Sequence, residues 1–293
     1  MTAPTIATID TEKRRTLSGG IVTAQLGAHP IIGFFGLAYA FSWLTLLALH
    51  GLLGLPTALV ILLQTLGPTL AALAMATVLG GSAGRRALIS RVRIWRVGAR
   101  WYAVALLGIP VACRAAALLL PGGLGPVGGQ SPVQLALTYL IVVVVAGISG
   151  PLFEEPGWRG FALPRLQTQR GPLQGTLVLG VLWAAWHLPQ FLVPDWAAQN
   201  GGSSPVVVLE FLLMVVAIAP VMTWIFNHTR GSLFMAMVAH SSINASLVVF
   251  VAADVALAAG LIAFGILSIA LVLLTRGRLG YEASPDGHVE RPE

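Results

Sequence analysis

Three places in the sequence set ionisable or amide side chains inside apolar surroundings. The first, "FEEPGWRGFALPRLQ", holds Glu154, Glu155 and Arg159. The second, "WAAWHLP", holds His187, and the third, "HSSIN", holds His240 and Asn244. The last two residues are four apart, so a helix stacks them on one face. A carboxylate beside an imidazole can take a proton from water and return it to a leaving amine. A second histidine and an amide can hydrogen-bond the oxyanion formed when water attacks a carbonyl, and one such donor can lower the barrier by ~3–4 kcal/mol. A covalent acyl-enzyme is not favoured, because no serine sits in a GxSxG setting and the one cysteine, Cys113, has no active-site-like context. Zinc is the competing chemistry: Glu154, His187 and His240 would make a two-His, one-carboxylate set, although HExxH is absent. Plainer roles exist for each residue. Histidines and asparagines in membrane helices often serve packing, and adjacent carboxylates with an arginine often form a juxtamembrane ion cluster.

The elements that must carry these groups follow from composition. Of 293 residues, 56% are hydrophobic and 10% charged, with a mean hydropathy of +0.84. Soluble domains are about one-quarter charged. An all-α, polytopic membrane helical bundle is expected; a secreted disulfide scaffold, a coiled coil or a cytosolic Rossmann enzyme is excluded. Eight spans are expected, at 31–53, 58–79, 101–120, 133–153, 175–192, 206–226, 232–253 and 255–274. They form a helical domain over 30–275 between an N-terminal tail, 1–29, and a C-terminal tail, 276–293. No cleaved leader is expected, since the Lys13, Arg14, Arg15 cluster precedes no short apolar core with a small-residue cleavage site.

The cations test the count of spans. Of the 17 Lys and Arg residues, all but Arg114 fall in the tails or in alternate connections. By the positive-inside rule both termini are cytoplasmic. Arg114 and Glu210 fall inside spans, either paired or each reaching the outer interface. The stretch "RRALISRVRIWRVGARW" reads either as a cationic helix on the anionic leaflet or as a topogenic loop. Its tethering at both ends argues against a nucleic-acid partner. On this topology His240 enters ~14 Å and His187 ~18 Å from the cytoplasmic face at 1.5 Å per residue. The "GISGP" segment, 147–151, is expected to bend or interrupt span four just before the carboxylates. The arginine-rich, Ala- and Gly-rich composition points to a bacterial source and a plasma-membrane location.

At these motifs the sequence resembles the CPBP intramembrane proteases, which include the CAAX prenyl endopeptidases and the Abi-type proteins. Glu154, Glu155 and Arg159 match the first family motif, and Gly160 after the arginine matches a bacterial subgroup. Trp183, four residues before His187, stands where phenylalanine is commoner, and His240 with Asn244 matches the third motif. The arginine-rich stretch extends the likeness, which covers about residues 85–250. Pro156 departs from many members but fits the subgroup.

The resemblance implies a glutamic-type endopeptidase with its cavity open to the cytoplasm. Glu154 and His187 would activate water, and His240 and Asn244 would stabilise the oxyanion. Glu155 and Arg159 would organise the site, with Trp183 supporting it. A peptide or membrane-protein substrate and the lipid bilayer are the implied partners, and no cofactor is required, zinc being the open alternative. Eukaryotic relatives trim prenylated CAAX proteins, a modification bacteria generally lack, so that substrate does not carry over. The rival class is a non-proteolytic immunity or scaffold protein of the membrane.

Overall fold

The computed structural model describes residues 24–124 and 130–282. The N-terminal cation cluster, Arg291 and most of both predicted tails lie outside that range. Thirteen α-helices are used below: α1 (Pro30–Leu46), α2 (Thr57–Gln64), α3 (Leu66–Ser90), α4 (Ala99–Ala103), α5 (Ile109–Ala117), α6 (Pro132–Ser149), α7 (Pro151–Glu155), α8 (Leu163–Arg170), α9 (Pro172–Trp186), α10 (Pro194–Gln199), α11 (Pro205–His228), α12 (Leu233–Phe250) and α13 (Ala256–Leu274). Among the described residues, the one β contact is an isolated bridge between Leu124 and Val251.

Seven helical stretches are long and apolar enough to cross a membrane, and the chain is a multi-pass membrane protein. The predicted span 101–120 falls on α4, a π-helical turn (Val104–Gly108) and α5. It carries Arg114 and is not among the seven. The outer faces suit lipid. On α6 only Tyr139 is buried, while Leu137, Ile141, Val144 and Ile148 are exposed.

α12 lies at the centre, packed against α5, α6, α7 and α11. Its buried positions are mostly small (Ala236, Ala239, Ser241, Ser242, Ala245 and Ser246), which lets neighbouring backbones approach. Ser242 Oγ donates to the Ala105 carbonyl at 2.5 Å and lies 2.7 Å from the Tyr139 hydroxyl, so one residue joins three helices. The N-cap Ser232 accepts from Met235 N–H and donates to the Ile94 carbonyl.

Two expectations meet a more detailed chain path. The "GISGP" segment does interrupt span four: α6 stops at Ser149, Gly150 takes φ −157° and ψ −68°, and α7 starts at Pro151. The arginine-rich stretch is not one interfacial helix. α3 continues to Ser90 beyond a break at Gly81 (φ 57°, ψ −140°), a backbone region that only glycine enters readily. A 3₁₀ turn covers Arg91–Arg93, and 94–98 is non-helical, with the Ile94 and Arg96 carbonyls taken by Ser232 and Arg230. Arg114 and Glu210 do not pair; the Arg114 guanidinium donates to the Phe250 carbonyl at 2.9 Å, capping the end of α12.

After the carboxylates the helix widens into a π-helical segment, Pro156–Ala162, all of it buried. Pro156 has no N–H to give the preceding turn, which favours a change of helical register there. Gly157 lies so close to α3 that a Cβ would sit 2.5 Å from Pro68 Cβ and 2.6 Å from its carbonyl oxygen. Gly157→Ala is therefore expected to cost ~1–3 kcal/mol through overpacking, read as a lower unfolding temperature in detergent.

Candidate active site

The carboxylates sit on the short helix α7, pinned from two sides. Thr69 Oγ1 of α3 donates to the Phe153 carbonyl at 2.5 Å, and the Gly150 carbonyl accepts from Glu154 N–H at 3.0 Å. The two glutamates then point into different networks.

Glu155 is fully buried. Its Oε1 accepts from Arg159 Nη1 at 2.9 Å and from His240 Nδ1 at 2.8 Å. Because a carboxylate only accepts, His240 carries a proton on Nδ1 and presents Nε2 to the remaining space. Arg159 is also fully buried and lies 4.2 Å over the Trp183 ring, so its charge is met by a carboxylate and by an aromatic face.

Glu154 is held by indoles instead. Trp183 Nε1 and Trp158 Nε1 both donate to its Oε2, at 3.1 and 3.2 Å. Its Oε1 has no hydrogen-bond partner among the described residues yet is not sealed from solvent, and Glu154 is 6% exposed. Trp158 was not singled out from the sequence. The available signal is its place four residues after Glu154, which puts both on one helix face.

Trp183 joins the networks. Its indole holds Glu154, its ring lies under Arg159 and packs edge-on against His240 at 5.2 Å, and its carbonyl accepts from His187 Nδ1 at 2.9 Å. That bond sets the His187 tautomer, because a carbonyl only accepts; Nε2 of the neutral ring is the free acceptor. His187 is not inside the α-helix but caps α9, with the chain turning into 3₁₀ geometry at Leu188. Trp186 and Phe211 wall its ring at 4.8 and 5.2 Å.

The structure thus brings Glu154, Glu155, Arg159, Trp183, His187 and His240 together through direct contacts. Asn244, one turn beyond His240 on α12, is half-buried and makes no side-chain hydrogen bond among the described residues. Among those residues no three His, Cys, Asp or Glu side chains are grouped to hold a metal ion.

A multi-pass helical membrane protein with a buried carboxylate–histidine–arginine site is the class that fold and site define. Comparison with known proteins adds two likenesses. Residues 136–246 match the model for type II CAAX prenyl endopeptidase Rce1-like proteins, a range holding all seven candidate residues. The chain is also similar to CAAX prenyl protease 2 of Methanococcus maripaludis, 30% identical over 93 residues, which are 31% of this chain and 34% of that protein. The chain thus spans about a third of the length of the curated relative it matches. Both likenesses are to CAAX prenyl endopeptidases.

The Glu155–Arg159 pair yields a stability prediction. Glu155→Leu leaves a buried guanidinium with no carboxylate and is expected to cost ~3–5 kcal/mol. Adding Arg159→Met should recover much of that loss, because the unpaired charge is gone. Thermal unfolding of the single and double variants measures the difference.

Proposed function

We propose that this protein is an intramembrane endopeptidase of the glutamic type, hydrolysing peptide bonds of peptide or membrane-protein substrates. Glu154 with His187 activates the water, and His240 with Asn244 stabilises the oxyanion. One observation carries the reading: Glu154 Oε2, His187 Nδ1 and His240 Nδ1 are each held by a hydrogen bond, while Glu154 Oε1, His187 Nε2 and His240 Nε2 have no hydrogen-bond partner among the described residues. Those are the atoms that general acid–base chemistry needs.

The steps follow from the tautomers. Water bound between Glu154 Oε1 and His187 Nε2 loses a proton to this pair as its oxygen attacks the scissile carbonyl. The developing oxyanion is met by the Asn244 amide N–H and by His240 protonated at Nε2. Collapse of the tetrahedral intermediate breaks the C–N bond, and the proton first taken from water passes to the leaving amine. Glu155 and Arg159 hold His240 in orientation without touching the substrate. Indole donors on Glu154 Oε2 keep its other oxygen aimed at the water.

The cation asymmetry supports cytoplasmic termini and a site opening toward the cytoplasmic leaflet. Composition supports the plasma membrane of a bacterium. No metal is required in this scheme.

The direct test is cleavage of a reporter by the purified protein in vesicles. Glu154→Gln should lower the rate by roughly 10²–10⁴-fold while the unfolding temperature stays close to wild type. Full activity in that variant overturns the assignment, and loss on chelation with recovery on adding Zn²⁺ favours zinc chemistry instead. No cleavage by the wild type, with a cellular phenotype that survives site substitutions, points to an immunity or scaffold role. Trp183→Phe keeps an aromatic ring but removes one of two donors to Glu154; it should reduce kcat more than it raises KM, because the lost bond orients the base rather than the substrate.

A further inference from the structure

A cleft of about 220 Å³ opens between α3 and the π-helical segment, away from the cluster described above. Its walls are Ala76, Leu79, Gly84 and Leu88 of α3, and its floor is Gly160 and Phe161. Two cations, Arg91 and Arg165, also line it, and no acid does. Neither arginine has a carboxylate partner among the described residues. Arg165 stacks 3.8 Å over the Phe161 ring and spends Nη1 on the Phe161 carbonyl, leaving its other donors free. Arg91 makes no side-chain hydrogen bond among those residues, and both guanidiniums are half-buried. Burial and, next, the Arg91 charge push the Arg165 guanidinium down to about 10, so the two cations repel across the cleft. An anion between them would relieve that repulsion.

The neighbourhood selects the kind of anion. α3 presents Leu79, 41% exposed, at the apolar part of the cleft. At the other end the cleft is lined by Arg91 and Arg165. A ligand with an anionic phosphate and an apolar tail meets both ends. Basic pockets between membrane helices bind phospholipid headgroups on this principle.

We propose that Arg91 and Arg165 clamp the phosphate of an anionic phospholipid in the cleft between α3 and the π-helical segment, with an acyl chain leaving past Leu79. The bound lipid ties α3 to the segment that continues from Glu155, and so stabilises the bundle beside the site. This inference does not need the peptidase reading, because its readout is lipid-dependent stability.

The test is thermal unfolding of the full chain, followed by tryptophan fluorescence in phosphatidylcholine nanodiscs containing increasing phosphatidylglycerol. Wild type should gain stability saturably with phosphatidylglycerol and gain none from inorganic phosphate. Arg91→Gln with Arg165→Gln should weaken the half-saturation point by at least about fivefold, the effect of one favourable cation near a charged membrane. Arg93→Gln with Arg96→Gln, an equal loss of charge at exposed positions, should stay near wild type. If the first pair does not fold, Ala87→Trp decides: it fills an exposed part of the cleft wall with the arginines intact, and should abolish saturation. Equal effects of the two double substitutions, no gain for wild type with phosphatidylglycerol, an undiminished gain in Ala87→Trp, or the same gain from inorganic phosphate each overturn the lipid site.

Discussion

A guanidinium with no access to solvent needs compensation inside the protein, and Arg159 obtains it from Glu155 and the face of Trp183. This requirement organises the site. Glu155 serves Arg159 across one helical turn, and the same oxygen reaches His240 on α12. The ion cluster therefore locks α7, the π-helical segment and α12 together. Hydrogen bonding also separates two adjacent glutamates of identical chemistry: Glu155 Oε1 is shared by Arg159 and His240, whereas Glu154 Oε2 is held by two indoles.

Tryptophan at 183 adds what phenylalanine could not. A phenyl ring could lie under Arg159 and against His240, but it has no N–H for Glu154. With Trp158 supplying the second donor, one carboxylate oxygen is saturated and its partner turned outward. Two indoles thus set the direction of a carboxylate by hydrogen bonding, with no ion pair of its own. The arrangement suits an apolar interior, where a neutral donor carries a smaller desolvation cost than a second cation.

The cleft at Arg91 and Arg165 meets the same constraint from outside. There two half-buried cations lack an acid within the described protein, so the compensation that Glu155 gives Arg159 would have to come from a bound anion. The π-helical segment lies between the two solutions, with Arg159 facing the site and Phe161 forming the cleft floor.

Apolar runs determined the all-α membrane class and seven of the eight expected spans, because lipid forces backbone hydrogen bonds to close within each segment. Spacing likewise exposed Glu154, Glu155 and Arg159, His187, and His240 with Asn244, since ionisable groups are rare in such helices. The interruption at Gly150 was legible from Gly147 to Pro151. Other features depended on contacts between residues far apart in the chain. That His240 bonds Glu155 rather than Glu154, that Trp183 and Trp158 converge on Glu154, and that Arg114 caps α12 instead of meeting Glu210 are decided by how helices rotate and cross. Helical periodicity gives the face a residue occupies, but packing selects which neighbour that face meets, and only the folded bundle contains that choice.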